Sequence, residues 1–302
     1  MKETDTESKQ RKDALFLKKE HGITRMTDEQ LKTCDAFCAD YMAFLQASKT
    51  EREANANAIA LLEQRGFVPF VPGMPLKAGD KVYRNNRGKA ILAAVIGTAP
   101  IAEGVRLCAA HIDSPRLDLK QNPLYEDEEL ALMKTHYYGG IKKWPTIPLS
   151  LHGVVVKADG SKVTVNIGED PQDPVFCVTD LLPHLADAQM KRTAPQLIRG
   201  EELNLLVGSR PFRKDTESEA VKLNILHILN EKYSMVEADF LSAELEAVPA
   251  YPVREVGLDR SMIGGYGHDD RVCAYPALRA LLDCEHPTHT AVVVLTDKEE
   301  TG

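Results

Sequence analysis

The chain has 302 residues, of which 43% are hydrophobic and 27% charged, values typical of a globular protein that has room for a principal domain with a second one attached or inserted. Its net charge of -8 provides no basic surface for nucleic acid, and no apolar run reaches the roughly 18 residues that a membrane-spanning helix needs. The charged N-terminus has no apolar core of the signal-peptide type, so we expect a cytoplasmic protein whose six cysteines are reduced and mostly buried.

The first predicted element is a helix that follows a highly charged segment. Residues 1–26 are rich in charged side chains, and we expect them to be frayed or bound to a partner. The apolar residues from Leu31 to Leu45 recur at helical spacing, which predicts a helix. Thr27 lies where that helix needs its N-terminal cap.

A second helix and a hairpin are predicted next. Thr50 and Glu53 form a capping-box pattern, and Gly66 lies where that helix needs a left-handed terminator. The runs Val82–Tyr83 and Ala90–Ile96 are separated by a turn-rich segment, which is typical of two antiparallel strands.

From about Leu117 to Pro252 the sequence becomes β-rich, which predicts an inserted domain. The predicted elements are hairpin strands at 152–157 and 162–167, helices at 178–189 and 218–233, and a strand at 238–246. We therefore divide the chain into a catalytic domain that begins in residues 1–116, an insert in residues 117–252, and a continued catalytic domain in residues 253–302.

The principal domain resumes with a helix at about 271–283 and the unbroken apolar strand Ala291–Thr296. Strand, helix and strand in succession are typical of a parallel-stranded α/β unit. The predicted fold class is therefore α/β, with a doubly wound mixed sheet in the catalytic domain.

Reactive side chains follow two of the predicted strands. The apolar run 105–110 ends at His111, and Asp113 is placed to take the second ring nitrogen of that histidine. The last strand is followed by Glu299 and Glu300, at the sheet rim where α/β proteins gather their chemistry. One glutamate can bind metal while its neighbour stays free as a general base, because successive side chains point different ways.

A glycine-rich loop supplies further carboxylates. Gly264–Gly267 permits unusual backbone angles close to a ligand and leads into Asp269, which could bridge two cations. One imidazole and several carboxylates form a ligand set that suits zinc or a similar divalent metal. Taken singly, these charges could merely solvate loop ends, but the combination of three segments favours a metallohydrolase.

The three segments resemble the successive metal-site motifs of the M18 metallopeptidases, a family that includes aspartyl aminopeptidase and vacuolar aminopeptidase I. The matching runs are Ala110–Arg116, Gly265–Ala274 and Asp297–Gly302. The resemblance extends over the whole chain in order. It implies a catalytic domain of the zinc-peptidase type with an inserted β-rich dimerisation domain.

The resemblance also implies a role for each matching residue. His111 would bind one metal, with Asp113 orienting it, and Glu300 would bind the other. Asp269 would bridge the two ions and be followed by a constrained peptide bond that can be cis. Glu299 would be the general base.

The insert contributes one further candidate. His152 matches, through the resemblance, a histidine that a neighbouring subunit lends to stabilise the tetrahedral intermediate. From the sequence alone it could equally be a strand histidine with satisfied hydrogen bonds.

The resemblance implies an aminopeptidase that releases N-terminal residues from peptides by attack of a metal-activated water. We expect two divalent ions, most often zinc, with manganese or cobalt as alternatives. The partners expected are peptides and further copies of the chain, in a dimer-based homo-oligomer that can extend to a dodecamer, with no nucleic acid or membrane.

Two other functions stay open at this point. Family members continue beyond the third motif with an acidic ligand, a histidine ligand and part of the substrate pocket, so we expect this chain alone to be incomplete for catalysis. A non-catalytic assembly or peptide-binding subunit of the same fold is one alternative. A related dinuclear carboxypeptidase or deacylase is the other.

Overall fold

The computed structural model describes residues 2–141, 144–213 and 218–301, and its chain forms two compact units that meet in sequence between Tyr41 and Met42. Gly302, the last residue of the third motif, lies outside the described residues. The first unit contains a helix at Lys2–Leu15 and a 3-10 turn at Gly22–Arg25. These two segments of residues 1–26 are therefore not frayed, and the alternative, that residues 1–26 are bound to a partner, stays a prediction.

The helices and strands have the following bounds. The helices are α1 (Lys2–Leu15), α2 (Asp28–Ala47), α3 (Glu51–Gln64), α4 (Asp187–Met190), α5 (Ala220–Tyr233) and α6 (His268–Leu282). The strands are β1 (Val68–Pro69), β2 (Lys81–Asn86), β3 (Ala90–Val95), β4 (Arg106–His111), β5 (Arg116–Asp127), β6 (Leu130–Tyr138), β7 (Leu149–Val156), β8 (Lys162–Ile167), β9 (Cys177–Val178), β10 (Leu205–Gly208), β11 (Ala243–Pro249), β12 (Arg254–Val256), β13 (Met262–Gly264) and β14 (Ala291–Thr296).

The predicted caps of α2 and α3 are confirmed. The Thr27 hydroxyl accepts a hydrogen bond from the Gln30 amide at 3.2 Å, one residue before α2 begins. At α3 both bonds of the capping box are present, between the Thr50 side chain and the Glu53 amide and between the Glu53 side chain and the Thr50 amide. Gly66 follows α3 with a φ of +80°, which only glycine adopts without strain.

A five-stranded mixed sheet, in the order β1-β2-β3-β14-β4, carries the candidate site. The predicted hairpin is confirmed as the antiparallel pair β2 and β3. Strand β14 pairs antiparallel with β3 and parallel with β4, and α6 precedes β14 in the chain and packs on both β4 and β14. The predicted α/β class with a mixed sheet is therefore confirmed.

The two faces of this sheet differ in exposure. One face is covered by α3 and α6, and its Val293 and Leu295 side chains are buried. The register places Val292 of β14 beside Leu107 of β4, and Val294 beside Leu92 of β3, on the opposite face. There Leu107 is 58% exposed and Leu92 is 47% exposed, so this face, which we call the open face, is apolar but uncovered by the described residues.

A seven-stranded sheet, in the order β8-β7-β11-β5-β6-β10-β9, is formed by residues between Arg116 and Pro249. Its described neighbours pair antiparallel, including the predicted hairpin β7 and β8. Its own buried core includes Leu117, Leu149, Leu205 and Phe240. We propose that this sheet is the inserted domain, because the strands of the five-stranded sheet lie on either side of it in sequence.

Three details of the insert differ from the prediction. The segment 178–189 is mostly loop, with a helix only at Asp187–Met190, because Pro183 lacks the amide that a helix interior requires. The strand predicted from residue 238 begins at Ala243, after a 3-10 helix over Glu237–Ser242. The long pair β5 and β6 was not predicted from the sequence.

The cysteines are all free thiols, as predicted, but none of the six is buried. Cys34, Cys108 and Cys273 are exposed, and the others are partly exposed. The expectation of mostly buried thiols is therefore wrong. Within the described ranges, no helix has both the length and the apolar character that a membrane crossing requires.

Candidate metal centre

The site is built where β4 and β14 end side by side. Their parallel register pairs Thr296 with His111, so the segment that follows β14 lies next to the histidine. Ligand atoms of His111, Glu299 and Glu300 all lie within 4.8 Å of one another. Residues that lie on either side of the whole insert in sequence thus form one cluster, as the sequence predicted for strand ends at one rim.

The imidazole of His111 is held in one orientation. Its Nδ1 lies 2.9 Å from the Asp113 carbonyl oxygen, which fits an Nδ1–H donor, and 3.3 Å from the Asp113 carboxylate. Its Nε2 then presents a lone pair, 3.3 Å from Asp269 Oδ1 and 3.8 Å from Glu299 Oε2. This is the tautomer and the arrangement that a metal-ligating histidine needs.

The acidic surroundings also alter the proton affinity of the ring. Burial alone would lower the pKa of His111, but the Asp113 carbonyl and the carboxylates of Asp113, Glu299 and Asp270 outweigh it and raise the pKa. A cation at Nε2 would take the place of the proton that these carboxylates favour.

Asp113 connects the two halves of the site. Its carboxylate is fully buried and accepts the amide N–H groups of Glu299 and Glu300, each at 3.2 Å. The same carboxylate lies 3.5 Å from Arg116 Nη1. Asp113 therefore fixes the histidine and the two glutamates relative to one another, a larger role than the orienting one that the resemblance implies.

Asp269 reaches the cluster from the glycine-rich loop. The peptide bond between Asp269 and Asp270 is cis, in line with what the resemblance implies. The Ser114 hydroxyl donates a 2.6 Å hydrogen bond to the Asp269 carbonyl oxygen. The Asp269 side chain is 79% exposed, so its carboxylate is open to a ligand on the solvent side of His111.

Glu300 is less exposed than its neighbour Glu299. Burial raises the pKa of its carboxyl, and the neighbouring carboxylates of Asp269 and Glu299 raise it further. Mutual repulsion of this kind is relieved when a cation binds between the carboxylates.

His152 lies elsewhere, in the seven-stranded sheet. Its side chain is 1% exposed, with Nδ1 2.8 Å from Glu53 Oε1 and Nε2 3.0 Å from the Ser150 hydroxyl and 3.3 Å from Glu169 Oε1. These contacts support the alternative of a strand histidine with satisfied hydrogen bonds. A role lent to a neighbouring subunit stays a prediction that this geometry does not favour, because the ring is buried within its own chain.

The sequence interpretation left three structural residues without a role. Arg116 is buried behind Asp113, and Arg271 donates from Nε to the Ile112 carbonyl oxygen at 3.1 Å. Ser114 ties the glycine-rich loop to the end of β4. All three lie inside the recognised motifs, so position within a motif was the available signal, but only the fold shows what each one contacts.

The donor set fits a zinc ion. One imidazole nitrogen with its second nitrogen anchored, together with several convergent carboxylate oxygens, is the kind of coordination that zinc and similar divalent metals accept. Among the described residues, His111, Glu300 and Asp269 are the ones that we expect to hold metal.

Comparison with known proteins gives consistent results. Residues 44–302 match the family described as "Aminopeptidase I zinc metalloprotease (M18)". A probable M18 family aminopeptidase 1 of Clostridium acetobutylicum is 51% identical over 281 residues, which are 91% of this chain and 60% of the relative. The chain thus spans about 60% of the length of that relative.

Solved structures agree in fold. The M18 aminopeptidase of Thermotoga maritima superposes with a TM-score of 0.87 at 47% identity, covering 95% of this chain and 62% of that one. The S. cerevisiae mApe1 dodecamer gives a TM-score of 0.67 at 17% identity, over 89% of this chain and 62% of that one, which shows the fold alone.

Proposed function

This chain belongs to the M18 family of zinc metalloproteases, and we propose that it carries the metal centre of an aminopeptidase that releases N-terminal residues from peptides. The observation that carries the proposal is the convergence of His111, Glu299 and Glu300 within 4.8 Å at the ends of two neighbouring strands. Its buried anchor, Asp113, supports the same conclusion, because a surface cluster of solvated charges needs no such anchor.

The metal ligands proposed are His111 and Glu300, with Asp269 as the bridge between two ions. Two divalent ions held there would polarise the scissile carbonyl and lower the pKa of a water molecule. Zinc is the ion that the family description names, and manganese or cobalt would suit the same carboxylates.

Glu299 is the proposed general base. Its side chain is 62% exposed and its Oε2 lies 3.8 Å from His111 Nε2, which supports a role on a water molecule held beside that histidine. It would accept the proton from water as the oxygen attacks the peptide carbonyl, and then return it to the leaving amine.

The choice of an aminopeptidase over a related carboxypeptidase is supported by the relatives. The 51% identical relative is named as a probable M18 family aminopeptidase 1. The charge of the exposed Asp269 and Glu299 carboxylates does not decide between the two, because the two proposed cations would neutralise much of it. A free α-amino group of the substrate would be held by a metal ion or by a nearby carboxylate.

The decisive experiment is Glu299→Gln in the complete, metal-loaded protein. The amide keeps the size of the side chain but cannot accept a proton, so we expect metal content to be retained while turnover falls by about two to four orders of magnitude. Turnover is measured on peptides with free and with blocked N-termini, and metal content by elemental analysis. Wild-type turnover in the variant would show that Glu299 is not the base.

The same assay separates the alternatives. Cleavage of N-terminally blocked peptides from their carboxyl end would favour the carboxypeptidase or deacylase. Metal uptake and peptide binding without turnover would favour the non-catalytic subunit.

We also infer self-association through the insert. The loop before α4, and α4 itself, expose apolar side chains: Leu182 is 65% exposed, Leu185 is 70% exposed and Met190 is 70% exposed. We propose that a second copy of the chain covers them, in the dimer-based oligomer that the resemblance implies. Leu182→Glu with Leu185→Glu should reduce the mass measured by light scattering, and an unchanged mass would argue against this surface.

A cytoplasmic location is likewise a proposal, supported by the six free thiols.

A further inference from the structure

Gly139 lies against the carboxylate of Glu300. A methyl group built on the Gly139 backbone would fall 2.2 Å from Glu300 Oε2 and 2.9 Å from Pro115 Cβ. Gly139 directly follows β6 of the seven-stranded sheet, whereas Glu300 lies in the segment after β14 of the five-stranded sheet. The backbone of the insert at Gly139, which carries no side chain, therefore lies against Glu300, a proposed metal ligand.

Neighbouring contacts hold the backbone at Gly139 and the ring of Pro115 in place. Arg116 stacks over the ring of Tyr138, the preceding residue, at 5.3 Å from the ring centre. Pro115 is a rigid ring whose carbonyl oxygen accepts the Tyr266 hydroxyl at 3.0 Å. An added methyl group would thus displace the flexible end of Glu300, because the backbone and the proline are both held.

We propose that Gly139 is a positioning residue of the metal centre: the missing side chain leaves the space in which the Glu300 carboxylate faces His111. The inference rests on the proposed function, since it assumes that Glu300 binds metal. The insert then contributes to metal affinity through the shape of its backbone, without supplying a ligand.

Two other glycines serve as matched controls. Gly140 is the adjacent residue, and a methyl group there would meet no atom of the described residues within 4 Å. Gly160 has a φ of +82°, close to the +73° of Gly139, and it too has open space around it. Gly140→Ala therefore controls for the loop, and Gly160→Ala controls for the backbone strain that alanine suffers at positive φ.

The first test measures zinc affinity by competition with a chelating dye in the complete protein. We expect Gly139→Ala to weaken zinc binding by about 10- to 100-fold, the range found when groups that hold a ligand are altered. Gly140→Ala and Gly160→Ala should bind as the wild type does. Equal affinities in Gly139→Ala and Gly140→Ala would overturn the inference while leaving the proposed function intact, whereas a wild type that takes up no zinc would overturn both.

The second test needs no metal. Unfolding by urea in the presence of a chelator is compared for Gly139→Ala in the wild-type and Glu300→Ala backgrounds, because removing the carboxylate removes the clash. We expect the midpoint to fall less in the Glu300→Ala background, and the double variant to fold even if Gly139→Ala alone does not. Equal losses in both backgrounds would show that the added methyl group does not meet Glu300.

Discussion

Asp113 is the residue on which the geometry of the site depends most. It accepts both glutamate amides, contacts the Nδ1 side of His111 and is paired with Arg116. A full charge is needed for this set of contacts, because each carboxylate oxygen accepts from a different donor. The bidentate arrangement thus couples the histidine of β4 to the segment after β14.

We predict that Asp113→Asn weakens zinc binding by about 10- to 100-fold without preventing folding. The asparagine side chain has one acceptor oxygen, so the backbone N–H of either Glu299 or Glu300 loses its partner. His111 also loses a neighbouring negative charge. The measurement is zinc affinity by dye competition, with Asp170→Asn on the surface as the control. Unaltered affinity would mean that the carboxylate only fills space.

His152 shows how a histidine can hold two elements together. Burial would lower the pKa of His152, but hydrogen bonds and charges from Glu169 and Glu53 outweigh it and raise the pKa above the ordinary value. The Ser150 hydroxyl and the nearby Lys49 complete the polar surroundings. When protonated, the ring links Glu53 at the start of α3 to Glu169 beside the seven-stranded sheet.

The raised pKa makes part of the stability dependent on pH. Because the folded value lies above the unfolded value of about 6.5, the contribution of His152 is fully present below that pH and is lost as pH rises through the folded pKa. We expect the difference in unfolding free energy between wild type and His152→Gln to shrink from pH 6 to pH 9, measured with urea. His184→Gln, on an exposed loop, should show no such trend. A constant difference for His152→Gln would contradict the charged link.

At the scale of elements, the sequence predicted those parts whose pattern is local. The capping box of α3, the hairpin β2 and β3, and the strand β14 follow from capping residues, turn residues and an unbroken apolar run. The same holds for the convergence of His111 with Glu299 and Glu300, because it depends only on which strands end at one rim.

The elements that were missed depend on tertiary contacts. Strand β5 carries Arg116, Asp118 and Lys120, and of these Arg116 is buried and paired with Asp113 and Asp118. Gly139 follows a strand of one sheet and Glu300 follows a strand of the other, so no periodicity in the sequence predicts their close approach. His152 was assigned from a motif, whereas its partners come from distant segments at Glu53 and Glu169.

The cap of α3 offers a test at this scale. Thr50 is 2% exposed, and its hydroxyl accepts the Glu53 amide while Glu53 bonds back. We predict that Thr50→Ala lowers the free energy of unfolding by about 1 kcal/mol, the usual value of an N-cap. The measurement is urea denaturation, with Thr33→Ala on the exposed surface of α2 as a control. A loss no larger than in that control would mean that the cap is redundant.

At the scale of the whole molecule, the open face leaves apolar side chains of the five-stranded sheet uncovered by the described residues. Leu92 and Leu107 are exposed beside Val292 and Val294, and β4 is the last strand in the order of the five-stranded sheet. Contiguous apolar surface of this kind usually marks a contact with another segment or molecule. An edge strand next to it adds unpaired backbone groups.

We predict that the 302-residue chain binds the dye ANS strongly and that Leu92→Lys with Leu107→Lys reduces the bound fluorescence several-fold. The charged ends reach solvent and break the apolar surface without touching the covered face. Ile101→Lys, at an exposed turn away from these strands, is the control. Fluorescence that persists unchanged in the double variant would place the exposed apolar surface elsewhere.

The hydrogen bonds of Asp113 with Glu299 and Glu300 span 186 and 187 positions of the chain. During translation, His111 and Asp113 leave the ribosome long before the two glutamates are made, so the nascent chain has no complete ligand cluster while the insert is being synthesised. The seven-stranded sheet, with its own core, can fold in that interval. The cluster that we propose to hold zinc is therefore assembled only after β14 has been added between β3 and β4, which precede the insert in the chain.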